Sequence, residues 1–142
     1  MYTFQIKSYS KGSVESEHTF YVLSKGNNAG KPLDAPCPNC FALTTATANE
    51  SNALYWTCYM LWQGGLIRPY LVGSVIPFIR IKELRSIIER GIESSLNNQE
   101  SFQKTIHTLQ QIDQLERNLR SQLSSVREMK ATVVRSVITR RI

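Results

Sequence analysis

The stretch LVGSVIPFIRIKELRSII, Leu71 to Ile88, decides the architecture. A short apolar segment carrying Gly73 and Pro77 passes directly into a basic amphipathic helix, whose apolar positions Leu84, Ile87, Ile88 and Ile92 recur at helical spacing. Beyond Gly91 the chain contains neither Gly nor Pro. This contrast divides the 142 residues into a turn-rich body, residues 1–91, and a helical arm, residues 92–142. The expected class is α+β: a small antiparallel sheet with packed helices and a long C-terminal helical arm.

On the N-terminal side, Tyr2, Phe4 and Ile6 alternate with polar residues, which predicts a half-buried strand. A turn at Ser10–Ser13 and an apolar run at His18–Leu23 suggest that this strand and the next form a hairpin. Ser24 to Asn39 holds two Gly, three Pro and three Asn and reads as a long irregular loop. Phe41–Thr47 is expected to be extended. Asn49–Ser51 offers N-cap chemistry for a helix that runs to about Trp62 and stops at Gly64-Gly65. Leu54, Cys58 and Leu61 form its core face, flanked by Tyr55, Tyr59 and Trp62. Leu66–Ile81 is expected to be extended and interrupted, Lys82–Leu96 helical, and Asn97-Asn98 a break.

On the C-terminal side, apolar residues from Phe102 through Ile112, Leu119 and Val126 to Val137 recur at spacings of three and four. A helix of about forty residues would reach roughly 60 Å at 1.5 Å per residue. Such a helix cannot hide its stripe alone, so it must fold back or pair with another chain. A homodimer or a helical protein partner is expected.

The net charge is +6, and its distribution matters more than its total. Residues 101–142 carry Lys104, Arg117, Arg120, Arg127, Lys130, Arg135, Arg140 and Arg141 against Asp113, Glu116 and Glu128. A basic arm points to an anionic partner such as nucleic acid, or is a solvated helix face. The opening MYTFQIKSYS has no signal-peptide architecture, and the apolar run Ala53–Trp62 is too short to span a bilayer. Three cysteines, an odd number, argue against a secreted disulfide framework. A cytoplasmic protein with no membrane partner is expected.

Candidate chemistry is sparse. Gly26-Asn27-Asn28-Ala29-Gly30-Lys31 is a near miss for a phosphate loop: three residues, not four, separate the glycines, and Pro32 stands where a hydroxyl is needed. The loop can instead offer N–H groups and the charges of Lys25 and Lys31 to a nucleic-acid phosphate, or be an ordinary turn. Cys37-Pro38-Asn39-Cys40 has the spacing of half a zinc site, but there is no second such pair, so a proline-shaped turn with buried, metal-free thiols is expected and zinc on Cys37 and Cys40 is the alternative. His18, His107, Glu15 and Glu17 form no recognisable catalytic arrangement. No enzymatic activity and no cofactor are expected.

Four segments carry a resemblance: SKGNNAGK (Ser24–Lys31), NCFAL (Asn39–Leu43), ALYWTCYML (Ala53–Leu61) and GSVIPFIRIKEL (Gly73–Leu84). Their order, followed by a long helix, resembles one target-recognition half of a type I restriction specificity subunit. The whole sequence is also similar to an uncharacterised family of small bacterial mobile-element proteins. The first resemblance implies duplex DNA as partner, with a long helix serving as spacer and docking element. The candidate DNA-contacting residues are Lys25, Asn27, Asn28, Lys31, Arg80 and Lys82 within the resembling segments and Arg85 directly after the last of them. A protein-interaction adaptor using the arm as a coiled coil is the alternative.

Overall fold

The computed structural model describes residues 3–13 and 16–139. Tyr2, Glu15, Arg140 and Arg141, invoked above, lie outside the described residues. The fold is α+β, with a four-stranded antiparallel sheet, two packed helices and a long C-terminal helix. The chain divides into two compact units, Met1–Gln99 and Glu100–Ile142.

In the first unit the strands are β1 (Phe4–Ser8), β2 (Thr19–Leu23), β3 (Pro32–Leu33) and β4 (Cys40–Thr45), in the order β1-β4-β2-β3. The expected β1–β2 hairpin is therefore corrected. The turn does form, with Ser13 N–H donating to the Ser10 carbonyl at 3.2 Å, but β4 inserts between the two strands. The reason is burial: β4 contributes buried residues to both faces of the sheet, so it takes the central position. A second correction concerns the long loop, which donates a short edge strand. Pro32 is tolerated in β3 because an edge strand has one side that need not pair.

Alternation along the strands separates two apolar layers. Phe4, Phe20, Val22, Phe41 and Leu43 face the helices and form the main core. Tyr21, Cys40 and Ala42 lie on the opposite face, where Tyr9 packs edge-on against Tyr21 at 5.6 Å between ring centroids.

Helix α1 (Ala48–Gln63) buries Leu54, Cys58 and Leu61 against the sheet. Its N-cap is Thr47, two residues before the Asn49–Ser51 expected: the Thr47 hydroxyl accepts from Glu50 N–H at 3.2 Å. Its end is a Schellman turn. Gly65 N–H donates to the Trp62 carbonyl at 3.0 Å and Leu66 N–H to the Leu61 carbonyl at 2.9 Å, with Gly65 at φ +73°. Leu66–Ile81 contains a 3-10 turn at Arg68–Tyr70, favoured by Pro69 in its first positions. Helix α2 (Ile81–Asn97) buries Leu84, Ile87, Ile88 and Ile92. Gly91 lies inside α2 rather than at its end. A Cβ there would come within 2.9 Å of Thr57 Cγ2 and 3.0 Å of Leu61 Cδ1, so its absence lets α2 approach α1.

In the second unit, α3 (Gln99–Ile138) is a continuous helix of 40 residues, separated from α2 by Asn98. From Ile112 onward its apolar stripe is uncovered: Leu115, Leu119, Val126 and Val133 are each more than half exposed. Among the described residues no helix is long and apolar enough to cross a membrane.

Candidate nucleic-acid interface

The loop Ser24–Lys31 is built from glycines and internal hydrogen bonds. The N–H groups of Gly26, Ala29, Gly30 and Lys31 donate to the carbonyls of Pro77, Gly26, Leu23 and Asn28 at 2.7, 3.1, 2.7 and 3.0 Å. These four donors are satisfied within the fold, so charge and side chains, rather than these amides, are what the loop offers a phosphate. Gly30 holds the loop against the body. Its φ is +97°, and a Cβ on it would sit 2.5 Å from Cδ1 of buried Ile67.

The loop is joined to the start of α2. Gly26 N–H donates to the Pro77 carbonyl, Ile79 N–H donates to the Ser24 carbonyl at 3.0 Å, and Lys25 pairs with Phe78 in an antiparallel bridge. Phe78 in turn exchanges two 2.9 Å hydrogen bonds with Val72. Arg80 follows two residues after Phe78, so the bridge sets the backbone of Lys25 beside the segment that leads into α2. Arg80 is the N-cap of α2, with extended backbone and no side-chain hydrogen bond to the first turn. Lys25, Arg80 and Lys82 are all exposed. A helix N-terminus without a side-chain cap carries N–H groups and a partial positive charge, and here basic side chains flank it. Glu83 is the acidic residue in that turn.

The remaining candidates are held differently. Lys31 Nζ lies 5.3 Å from the Trp62 ring centroid, a cation–π contact. Asn27 and Asn28 are exposed and line a hollow of about 340 Å³ together with Trp62, Gln63, Arg68 and Leu71. Arg85 sits 5.0 Å from the Phe4 ring centroid and 3.8 Å from Glu89 Oε1. The structure thus brings Lys25, Arg80 and Lys82 to one junction, puts Asn27, Asn28 and Lys31 around Trp62, and engages Arg85 on the sheet edge and its own helix. Sequence reasoning missed Arg68 and Trp62 as neighbours of the loop. The Gly64-Gly65 stop, which reverses the chain beside α1, was the available signal.

Trp62 ends a ladder of edge-on rings along α1. Phe20–Tyr55, Tyr55–Trp56, Trp56–Tyr59 and Tyr59–Trp62 have centroid separations of 5.5, 5.6, 5.2 and 5.9 Å. Such contacts rigidify the helix face that supports the loop.

The cysteines are placed on opposite sides of the sheet. Cys40 Sγ donates to the Cys37 carbonyl at 3.0 Å and accepts from Cys37 N–H at 3.4 Å, closing the Pro38-Asn39 turn. Cys58 lies in the helix-side core, where burial pushes its thiol far above the usual range. Among the described residues no three His, Cys, Asp or Glu side chains are grouped to hold a metal.

The chain belongs to DUF6943, a family of unknown function, whose profile matches residues 6–136. No curated protein and no solved structure matches it.

Proposed function

We propose that the protein is a non-catalytic, cytoplasmic DNA-binding module that associates through its C-terminal helix. The observation that carries this reading is the backbone bridge joining Lys25 to Phe78, two residues before Arg80, the N-cap of α2, whose first turn has no side-chain cap hydrogen bond and also carries Lys82. Ammonium and guanidinium groups neutralise phosphates, and the open helix end adds a favourable dipole for an anion. Asn27 and Asn28, exposed beside this junction, carry both donors and acceptors and are the proposed base-edge contacts. Lys31 and Arg85, each over an aromatic ring, are proposed to reach phosphates from more restrained positions. The resemblance to a specificity-subunit half implies the same partner.

The test is a fluorescence-anisotropy titration with a mixed-sequence duplex over a salt series. Each phosphate contact contributes a slope of roughly 0.9 in the logarithm of affinity against the logarithm of salt. Lys25→Ala with Arg80→Ala is expected to weaken binding and to reduce the slope by about 1–2. Absence of binding at micromolar protein and low salt would reject the reading. The uncovered stripe on α3 favours a second reading, a protein-interaction adaptor, which would then lead.

A further inference from the structure

The exposed face of α3 has an internal order that its hydrophobicity alone does not require. Ile112, Leu119, Val126 and Val133 stand seven residues apart, the repeat of a left-handed coiled coil, and so occupy one core position, a. The companion core position, d, holds Leu115, Gln122, Met129 and Ser136 in turn. The neighbouring position, e, holds Leu109, Glu116, Leu123, Lys130 and Val137. That series is symmetric about Leu123: apolar, acidic, apolar, basic, apolar.

We propose that α3 pairs with α3 of a second copy of this chain, antiparallel, with the two-fold axis at Leu123. In antiparallel coiled coils the e positions of one helix face the e positions of the other, because reversing one helix exchanges its flanks. Setting Leu123 against Leu123 of the second copy brings Glu116 level with Lys130 and Leu109 level with Val137. Each e residue meets a chemical complement. The same alignment brings Leu115 and Val133, and likewise Leu119 and Met129, to within two residues of level in the core. Gln122 falls beside Val126, with its amide free to reach the rim.

The parallel alternative lacks these matches. There e faces g of the partner, which sets Leu123 against Asn118, Val137 against Thr132 and Glu116 against Gln111, while Gln122 meets its own copy in the core. Glu116 already pairs with Arg120 at 2.7 Å within the helix, and both side chains are more than half exposed. Lys130 of a second copy would therefore join an existing carboxylate–guanidinium pair rather than find an unmet charge.

This inference rests on the proposed association through α3 but not on DNA binding, so the test uses protein alone. In sedimentation of the full chain, Glu116→Lys and Lys130→Glu should each weaken the dimer, by roughly tenfold in dissociation constant, since two attractive pairs become repulsive. The double variant should restore it, because the pairs are then reversed rather than lost. A parallel dimer would respond to neither substitution in this reciprocal way. Spin labels at Thr105→Cys, in a Cys37→Ser background, give a second readout. They should lie roughly 54 Å apart along the axis in the antiparallel pair and within about 20 Å in a parallel one. A wild-type chain that is monomeric at tens of micromolar, a double variant as weak as the single ones, or a short label distance would each overturn the proposal.

Discussion

Gly30 sets the position of the whole basic loop. Its backbone lies in the left-handed region and its missing side chain is what admits Ile67 Cδ1. Gly30→Ala combines an unfavourable φ with overpacking against buried Ile67, and should cost about 2–4 kcal/mol. Urea denaturation measures this directly, and an unchanged midpoint would contradict the role assigned to Gly30. The residue was visible in the sequence as part of a near-miss phosphate loop, but its actual use was not, because Ile67 is distant along the chain. The same holds for Lys31: its charge was legible, whereas the Trp62 ring beneath it depends on how α1 ends. Cys37 and Cys40 were readable as a turn with thiols, since their spacing is local. That Cys58 lies in the core on the sheet's other face follows from the tertiary fold.

At the level of elements, what was legible was what is periodic. The buried faces of α1, α2 and β1 follow from spacings of three to four and of two, which need no knowledge of neighbours. Strand pairing was not legible. The turn at Gly12 suggested that β1 and β2 are adjacent, but β4 contributes buried residues to both faces and displaces that pairing from the centre. β3 was hidden because Pro32 reads as a breaker, although an edge position accommodates it. The start of α2 carries a prediction that separates stability from binding. Arg80 occupies an N-cap with extended backbone but supplies no cap hydrogen bond. Arg80→Asp should therefore stabilise the fold by roughly 0.5–1 kcal/mol, through a cap bond and the helix dipole. It should weaken DNA binding at the same time, by removing one phosphate contact and adding a like charge. Thermal melting and anisotropy on the same preparation test both signs. A variant that binds as tightly as the wild type would remove Arg80 from the proposed interface.

For the molecule as a whole, two units meet different physical demands. The first buries most of its apolar residues in a layered core, with Leu66, Val75 and Ile76 among those left exposed. The second, α3, leaves Leu115, Leu119, Val126, Met129 and Val133 between 51% and 66% exposed. The stripe was evident in the sequence, and so was the need for a cover; the identity of the cover is a property of two chains, which one sequence expresses only through the order of its charges. Because Leu119 is exposed within the single chain, Leu119→Asp costs the folded body little, yet it places a carboxylate in any seam that α3 forms. That contrast makes sedimentation velocity of the wild type and Leu119→Asp, run side by side at tens of micromolar, the most direct measurement. The expected result is a wild-type dimer and a folded, monomeric Leu119→Asp. A wild type that sediments as a stable monomer, or a dimer that Leu119→Asp leaves intact, would contradict assembly through α3.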